Sequence, residues 1–244
     1  MPERIQYGPG KDQWGDLYLP EGTARGVVVA IHGGFWRERH TAEDTVDESE
    51  DLAARGFAVL NLEYRRVSDS EGAGDGGWPA TGEDIVAGIR ALQDTAVSGL
   101  PIVLLGHSAG GQLAAWAAGH VEVAGVVSQA GPLALTESAR LGIGDGATVN
   151  FLGATPEENP AVYEQADPVE NIPLSVPLIA LHPGLDKIVP FSLSKEYVAA
   201  AQEAGADARL IQVEGDHLAI IRPGSEAYQV SVDAIQAILG RQSR

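Results

Sequence analysis

Short aliphatic runs alternate along this chain with longer amphipathic segments, and that alternation restricts the fold more than any other feature. The run Gly-Val-Val-Val-Ala-Ile at 26–31 is β-branched and continuous, the pattern of a strand covered on both faces. Comparable runs at 16–19, 57–62, 102–106, 123–128, 178–182 and 208–213 predict further strands. Between them, 45–55, 79–93, 111–118, 192–204 and 225–239 read as helices, the first ended by Gly56 and the second opened by Pro79. Strand–helix alternation of this kind implies an α/β fold: a mostly parallel sheet with helices on both faces. The stretch 131–171 breaks the rhythm. It holds Gly142, Gly144, Gly146, Gly153, Pro156 and Pro160 and keeps no steady apolar period, so it is expected to be a small cap insertion with one or two short helices. The expectation is one domain over 1–244 with that insertion.

Composition removes several functions. With 34 acidic and 16 basic residues the formal charge is −18, a surface that repels phosphate backbones and anionic headgroups. No nucleic-acid or membrane role is therefore expected, and the charge reads as a solubilising surface. Cysteine is absent, which excludes disulfides, thiolate nucleophiles and thiolate metal sites. No H-E-x-x-H or comparable ligand cluster is visible, so no metal and no cofactor are expected. Residues 1–8 lack an apolar stretch suited to a secretion signal, and a cytoplasmic protein is the expectation. A homodimer is compatible with the sequence, which does not decide the oligomeric state.

The chemistry-bearing residues sit where strands end. Gly106-His107-Ser108-Ala109-Gly110-Gly111 follows the run at 102–105 and precedes a helix. This is G-x-S-x-G in a strand–turn–helix setting, where a sharp turn lifts the serine oxygen above the sheet. Ser108 is the expected nucleophile, with a structural glycine turn as the plainer alternative. His107 reads as a packing residue. After the run at 27–31 comes His32-Gly33-Gly34-Phe35-Trp36. Backbone amides of Gly34 and Phe35, with that of Ala109, are the expected oxyanion donors, and loss of one such donor typically costs roughly 10²–10³ in rate. Gly33 and Trp36 are expected to border the substrate, although Trp36 reads equally well as core packing. His32 reads as a brace for its loop.

A serine hydroxyl needs a base. Of the six histidines, His217 follows the run at 208–213 through Glu214-Gly215-Asp216, on a loop at the carboxyl end of the sheet where sites collect. It is the expected base. His40 and His120 look like surface residues, and His182 is expected to pack near the site. Asp186, in the loop after 178–182, is the expected orienter of the imidazole. Asp167 is the rival but lies in the insertion, and Asp216 reads as a turn former. An imidazole base with an ordinary pKa of about 6.5 predicts activity that climbs through neutral pH.

With these residues placed, the chain resembles the α/β-hydrolase superfamily. More narrowly it resembles the HGGxW esterase and kynurenine-formamidase-like group, related to the hormone-sensitive-lipase-type esterases. The resemblance rests on the His32–Trp36 and Gly106–Gly111 motifs and on Glu63-Tyr64-Arg65-Arg66. It rests further on Trp78-Pro79-Ala80 followed by Asp84, and on Asp186 and His217. It implies an α/β-hydrolase fold and a serine hydrolase acting on a small-molecule acyl substrate, either a carboxylic ester or N-formylkynurenine. Phe35, where lipase types carry a third glycine, favours the formamidase-like branch. A catalytically silent protein of this fold, used to bind a ligand, is the alternative of another class, and the intact serine, histidine and acid argue against it.

Overall fold

The computed structural model describes residues 1–68 and 74–242. Its strands are β1 (Glu3–Gln6), β2 (Trp14–Tyr18), β3 (Val27–Ile31), β4 (Ala58–Leu62), β5 (Ile102–His107), β6 (Gly125–Gln129), β7 (Leu178–Pro183) and β8 (Ala208–Val213). Among the described residues they form one sheet in the order β1-β2-β4-β3-β5-β6-β7-β8. β1 pairs antiparallel with β2, and β2 with β4; every other pair is parallel.

Helices cover both faces because alternate residues of each inner strand point opposite ways. On one face Val27, Val29 and Ile31 of β3 pack with residues of α2 (Ala80–Ala91), α3 (Ala109–Ala117) and α7 (Phe191–Glu203). On the other face Val28 and Ala30 pack with α1 (Val46–Ala54) and α8 (Glu226–Gln242). All five residues of β3, β4 and β6 are buried. Each fully buried aliphatic side chain contributes roughly 1.5–3 kcal/mol. A one-residue slip would exchange the two faces, so the register is strongly specified.

The inner strands lie where the sequence places them, within one or two residues. Differences concentrate at the edges and in the insertion. β1 was not expected: its four residues are mostly exposed and carry no apolar alternation. β2 runs from Trp14 to Tyr18, earlier than the expected 16–19. A 3-10 turn at Ala42–Thr45 precedes α1. α3 begins at Ala109, directly after Ser108, and not at 111. The insertion between β6 and β7 holds three α-helices where one or two were expected. They are α4 (Leu135–Arg140), α5 (Ile143–Leu152) and α6 (Pro160–Ala166), followed by a 3-10 turn at Pro168–Asn171. The glycines that hid the middle one are inside it: Gly144, Asp145 and Gly146 all take left-handed φ values, and the helix is kinked there. Among the described residues no helix is long and apolar enough to cross a membrane.

Candidate active site

The carboxyl ends of β3, β5, β7 and β8 each deliver one part of the candidate site. Ser108 lies between β5 and α3, at the N-cap of α3, with φ 53° and ψ −122°, a region costly for a residue with a side chain. The flanking glycines make the turn feasible. A Cβ on Gly106 would run into the carbonyl of Gly110, and one on Gly110 into the carbonyl of Ile31. The turn is tied down by the Ser108 amide, which donates to Gln129 O at 2.8 Å.

The loop after β3 is also held against its preferences. Phe35 and Trp36 have φ of 58° and 56°. Arg37 N donates to Gly34 O at 3.0 Å and Val67 N to Trp36 O at 2.8 Å. His32 braces the loop as expected. Its ring meets Gly33 O (2.8 Å) and Glu63 Oε1 (3.1 Å) and stacks on Tyr64, whose hydroxyl donates to His32 O at 2.8 Å. The amides of Gly34 and Phe35 donate no hydrogen bond among the described residues. Ala109 is the first residue of α3, so its N–H has no acceptor within the helix. The three expected oxyanion amides are thus unengaged, and all three residues border cavities that Ser108 also borders.

Asp186 and His217 are joined. His217 Nδ1 donates to Asp186 Oδ2 at 2.6 Å. Asp186 Oδ1 accepts from the amides of Ile188 (2.8 Å) and Val189 (3.0 Å). Burial alone would raise the Asp186 carboxyl; the bond from His217, its charge and the two amides outweigh that and hold it below the usual carboxylate value. His182 packs against this pair, its Nε2 3.6 Å from Asp186 Oδ2. It donates from Nε2 to Val189 O (2.9 Å), which leaves Nδ1 to accept from Ser194 Oγ (2.7 Å). Asp216 forms its turn, accepting from Leu218 N and Ala219 N. Asp167 is not part of the site: it accepts from Leu135 N and Thr136 N, both at 2.8 Å, and fastens the insertion.

Ser108 and His217 border the same cavity of about 500 Å³, together with Gly33, Gly34 and Phe35. The Ser108 hydroxyl makes no hydrogen bond among the described residues, to His217 or to any other group. A hydrogen bond between the two side chains would need them to close to about 2.6–3.2 Å. Other hollows lie at the amino ends of β5 and β6, near Pro101, Ile102 and Glu122, and none of Ser108, Asp186 and His217 borders them. No group of three or more metal-binding side chains is assembled among the described residues.

Comparison with known proteins adds to this geometry. The BD-FAE family model matches residues 16–120. No curated protein matches the chain. A truncated carbohydrate esterase from gut microbiota superposes with a TM-score of 0.82 at 20% identity, covering 97% of this chain and 95% of that one. A bifunctional GH43-CE protein of Bacteroides eggerthii gives a TM-score of 0.80 at 20% identity over 97% of this chain, which spans 35% of that larger protein. Esterase 2 of Thermogutta terrifontis gives 0.75 at 21% identity over 98% of this chain and 91% of that one. This chain has the α/β-hydrolase fold.

Within the α/β-hydrolase fold several residues matter that the sequence did not single out. His107 is more than packing: its Nε2 donates to His217 O at 2.9 Å and its ring lies 4.7 Å from that of His217. Burial, then the neighbouring His217 charge, pushes the His107 imidazole down to about 3, so it stays neutral. His40, read as a surface residue, borders the large cavity beside Gly34 and pairs with Asp44 at 2.9 Å. Trp36 packs in the core and also reaches a cavity. It is buried, stacked on Phe151 at 4.6 Å and bonded to Gln112 Oε1 at 3.1 Å, yet it borders a second, smaller cavity beside Ser108. Behind the site, Gln129 Nε2 faces three acceptors: Glu48 Oε1 (2.9 Å), Ser231 Oγ (3.0 Å) and Ile220 O (3.1 Å). Gln129 thus links α1, α8 and the turn after His217 to the end of β6, where its own carbonyl accepts from Ser108 N. No motif marks such a hub; its signal is a glutamine at the end of a buried strand.

Proposed function

We propose that the chain is a serine hydrolase that cleaves small or medium carboxylic esters through an acyl-enzyme intermediate. The observation that carries this reading is the 2.6 Å bond from His217 Nδ1 to Asp186. It fixes the tautomer that leaves Nε2 as an acceptor, on a ring that borders the same cavity as a serine held on a strained turn. In the first step Ser108 Oγ attacks the carbonyl carbon while His217 Nε2 takes its proton. The amides of Gly34, Phe35 and Ala109 receive the negative oxygen, and their fixed orientation lowers the barrier without rearrangement. His217 then passes its proton to the departing alcohol, and water releases the acyl group by the same steps in reverse order. Asp186 stays ionised and stabilises the imidazolium. The esterase neighbours support this reading, and the two carbohydrate-esterase neighbours make acylated sugars worth including among its substrates.

The test is a fluorophosphonate label with a substrate panel of p-nitrophenyl esters, acetylated sugars and N-formylkynurenine. The wild type labels and turns over esters, and Ser108→Ala loses labelling and about 10⁴-fold or more in kcat. Faster turnover of N-formylkynurenine than of any ester would move the reading to an arylformamidase. A wild type that neither labels nor turns over any of these compounds would leave only a ligand-binding protein of this fold.

A further inference from the structure

Ser108 borders two cavities, and they are very unequal. The one of about 500 Å³ also contains His217, Leu218 and Ile221. The other is about 10 Å³, is bordered by Trp36, Ala109, Ile143, Ala147 and Thr148, and does not include His217. Reaction chemistry decides which part of a substrate goes where. The base that takes the serine proton must return it to the leaving oxygen, so the alcohol has to sit on the His217 side. The acyl chain then points away from His217, into the small cavity. We infer that this site accepts acyl groups of one or two carbons, formyl or acetyl, and that α5 is the wall that sets the limit. The inference rests on the serine-hydrolase reading above. A cavity of this volume holds about one water-sized sphere, the size of a single methyl group.

The wall is held rather than merely present. α5 begins with the left-handed Gly144, Asp145 and Gly146. Arg37 donates to Gly144 O at 2.7 Å, which anchors this end of α5 to the loop carrying Phe35 and Trp36. A Cβ on Gly144 would strike the Phe35 ring, so glycine allows the close approach. Thr148 is fixed through a 2.8 Å hydroxyl contact with Ser138 on α4. Trp36, which also borders this cavity, is stacked on Phe151 of α5 and bonded to Gln112. A longer acyl chain therefore has to displace well-packed atoms and not a loose loop. The alcohol side has no such barrier and accepts a far larger group.

The experiment compares kcat/KM on p-nitrophenyl acetate, butyrate and octanoate. The wild type is expected to lose about tenfold or more from acetate to butyrate and more again to octanoate. Ile143→Ala, which shortens a partly exposed wall residue, is expected to raise the butyrate-to-acetate ratio about tenfold. Thr148→Ser removes one methyl while keeping the hydroxyl contact, and shifts the ratio the same way by a smaller factor; it stands in if Ile143→Ala does not fold. Butyrate turned over within about twofold of acetate by the wild type overturns the inference while leaving the hydrolase reading intact. So does a ratio that neither variant moves. Absence of any Ser108-dependent turnover overturns both.

Discussion

Asp186 and Glu48 are two carboxyls shielded from water, and they hold their protons in opposite ways. Burial pushes both upward. Asp186 receives three N–H bonds, from His217, Ile188 and Val189, and ends below its ordinary value. Glu48 receives one, from Gln129, has the charge of Asp51 nearby, and is pushed up to about 8. Burial alone does not decide whether an interior carboxyl carries charge; the number of donors aimed at it does. The loop region has been built to keep an anion beside an imidazole. The region behind Gln129 has been built to keep a neutral acid in a hydrogen-bonded interior.

The sharpest way to break this contrast is Asp186→Asn. If the carboxylate orients and stabilises the imidazolium, kcat on p-nitrophenyl acetate falls about 10⁴-fold while the fold persists. Activity within a small factor of wild type would remove Asp186 from the reaction. Because its native pKa is depressed, Asp186 contributes stability above its unfolded value, and that contribution is lost as pH falls through the native value.

Glu48→Gln tests the other half. The native Glu48 keeps a proton that the unfolded chain releases above the ordinary value of about 4.5, so this group makes the fold less stable as pH rises from there to about 8. The difference in unfolding free energy between wild type and Glu48→Gln should change with pH in that window, by up to about 1.4 kcal/mol per pH unit, in favour of the variant at higher pH. Urea unfolding midpoints at acidic, neutral and mildly alkaline pH measure it, and parallel curves for the two proteins would show that Glu48 is ionised in the interior after all.

The smallest expected effect belongs to His107, whose one hydrogen bond to His217 goes to the backbone carbonyl. His107→Ala should reduce kcat by about tenfold, the cost of one hydrogen bond. His107→Gln should recover part of it by restoring a donor. Neither should move the acidic limb of the pH profile, because burial keeps His107 neutral throughout the working range. A displaced limb would mean that His107 itself titrates in the reaction.

The same contrast explains what could be read in advance. The inner strands were legible because burial on both faces demands continuous aliphatic runs, and Val27–Ile31 could hardly be anything else. Ser108 was legible because its turn needs glycine at 106 and 110. His217 and Asp186 followed from their positions after β8 and β7, since loops at the carboxyl ends of parallel strands converge. α5 was not legible, because its glycines look like loop and become helix only where Arg37 and Phe35 receive them. Glu48, Gln129 and His107 were not legible either. A polar residue on a buried element carries no local mark of which partner it will meet.

By itself, the sequence determined the layered α/β architecture and the chemical identity of the groups at the strand ends, because periodicity and glycine requirements are local and act through neighbouring residues. Only the tertiary structure decided which carboxyl keeps its charge, which histidine bonds to the backbone of His217, and how little room lies beside Ser108 on the side away from His217. Those properties depend on how many donors, and how much empty volume, distant segments bring to one point.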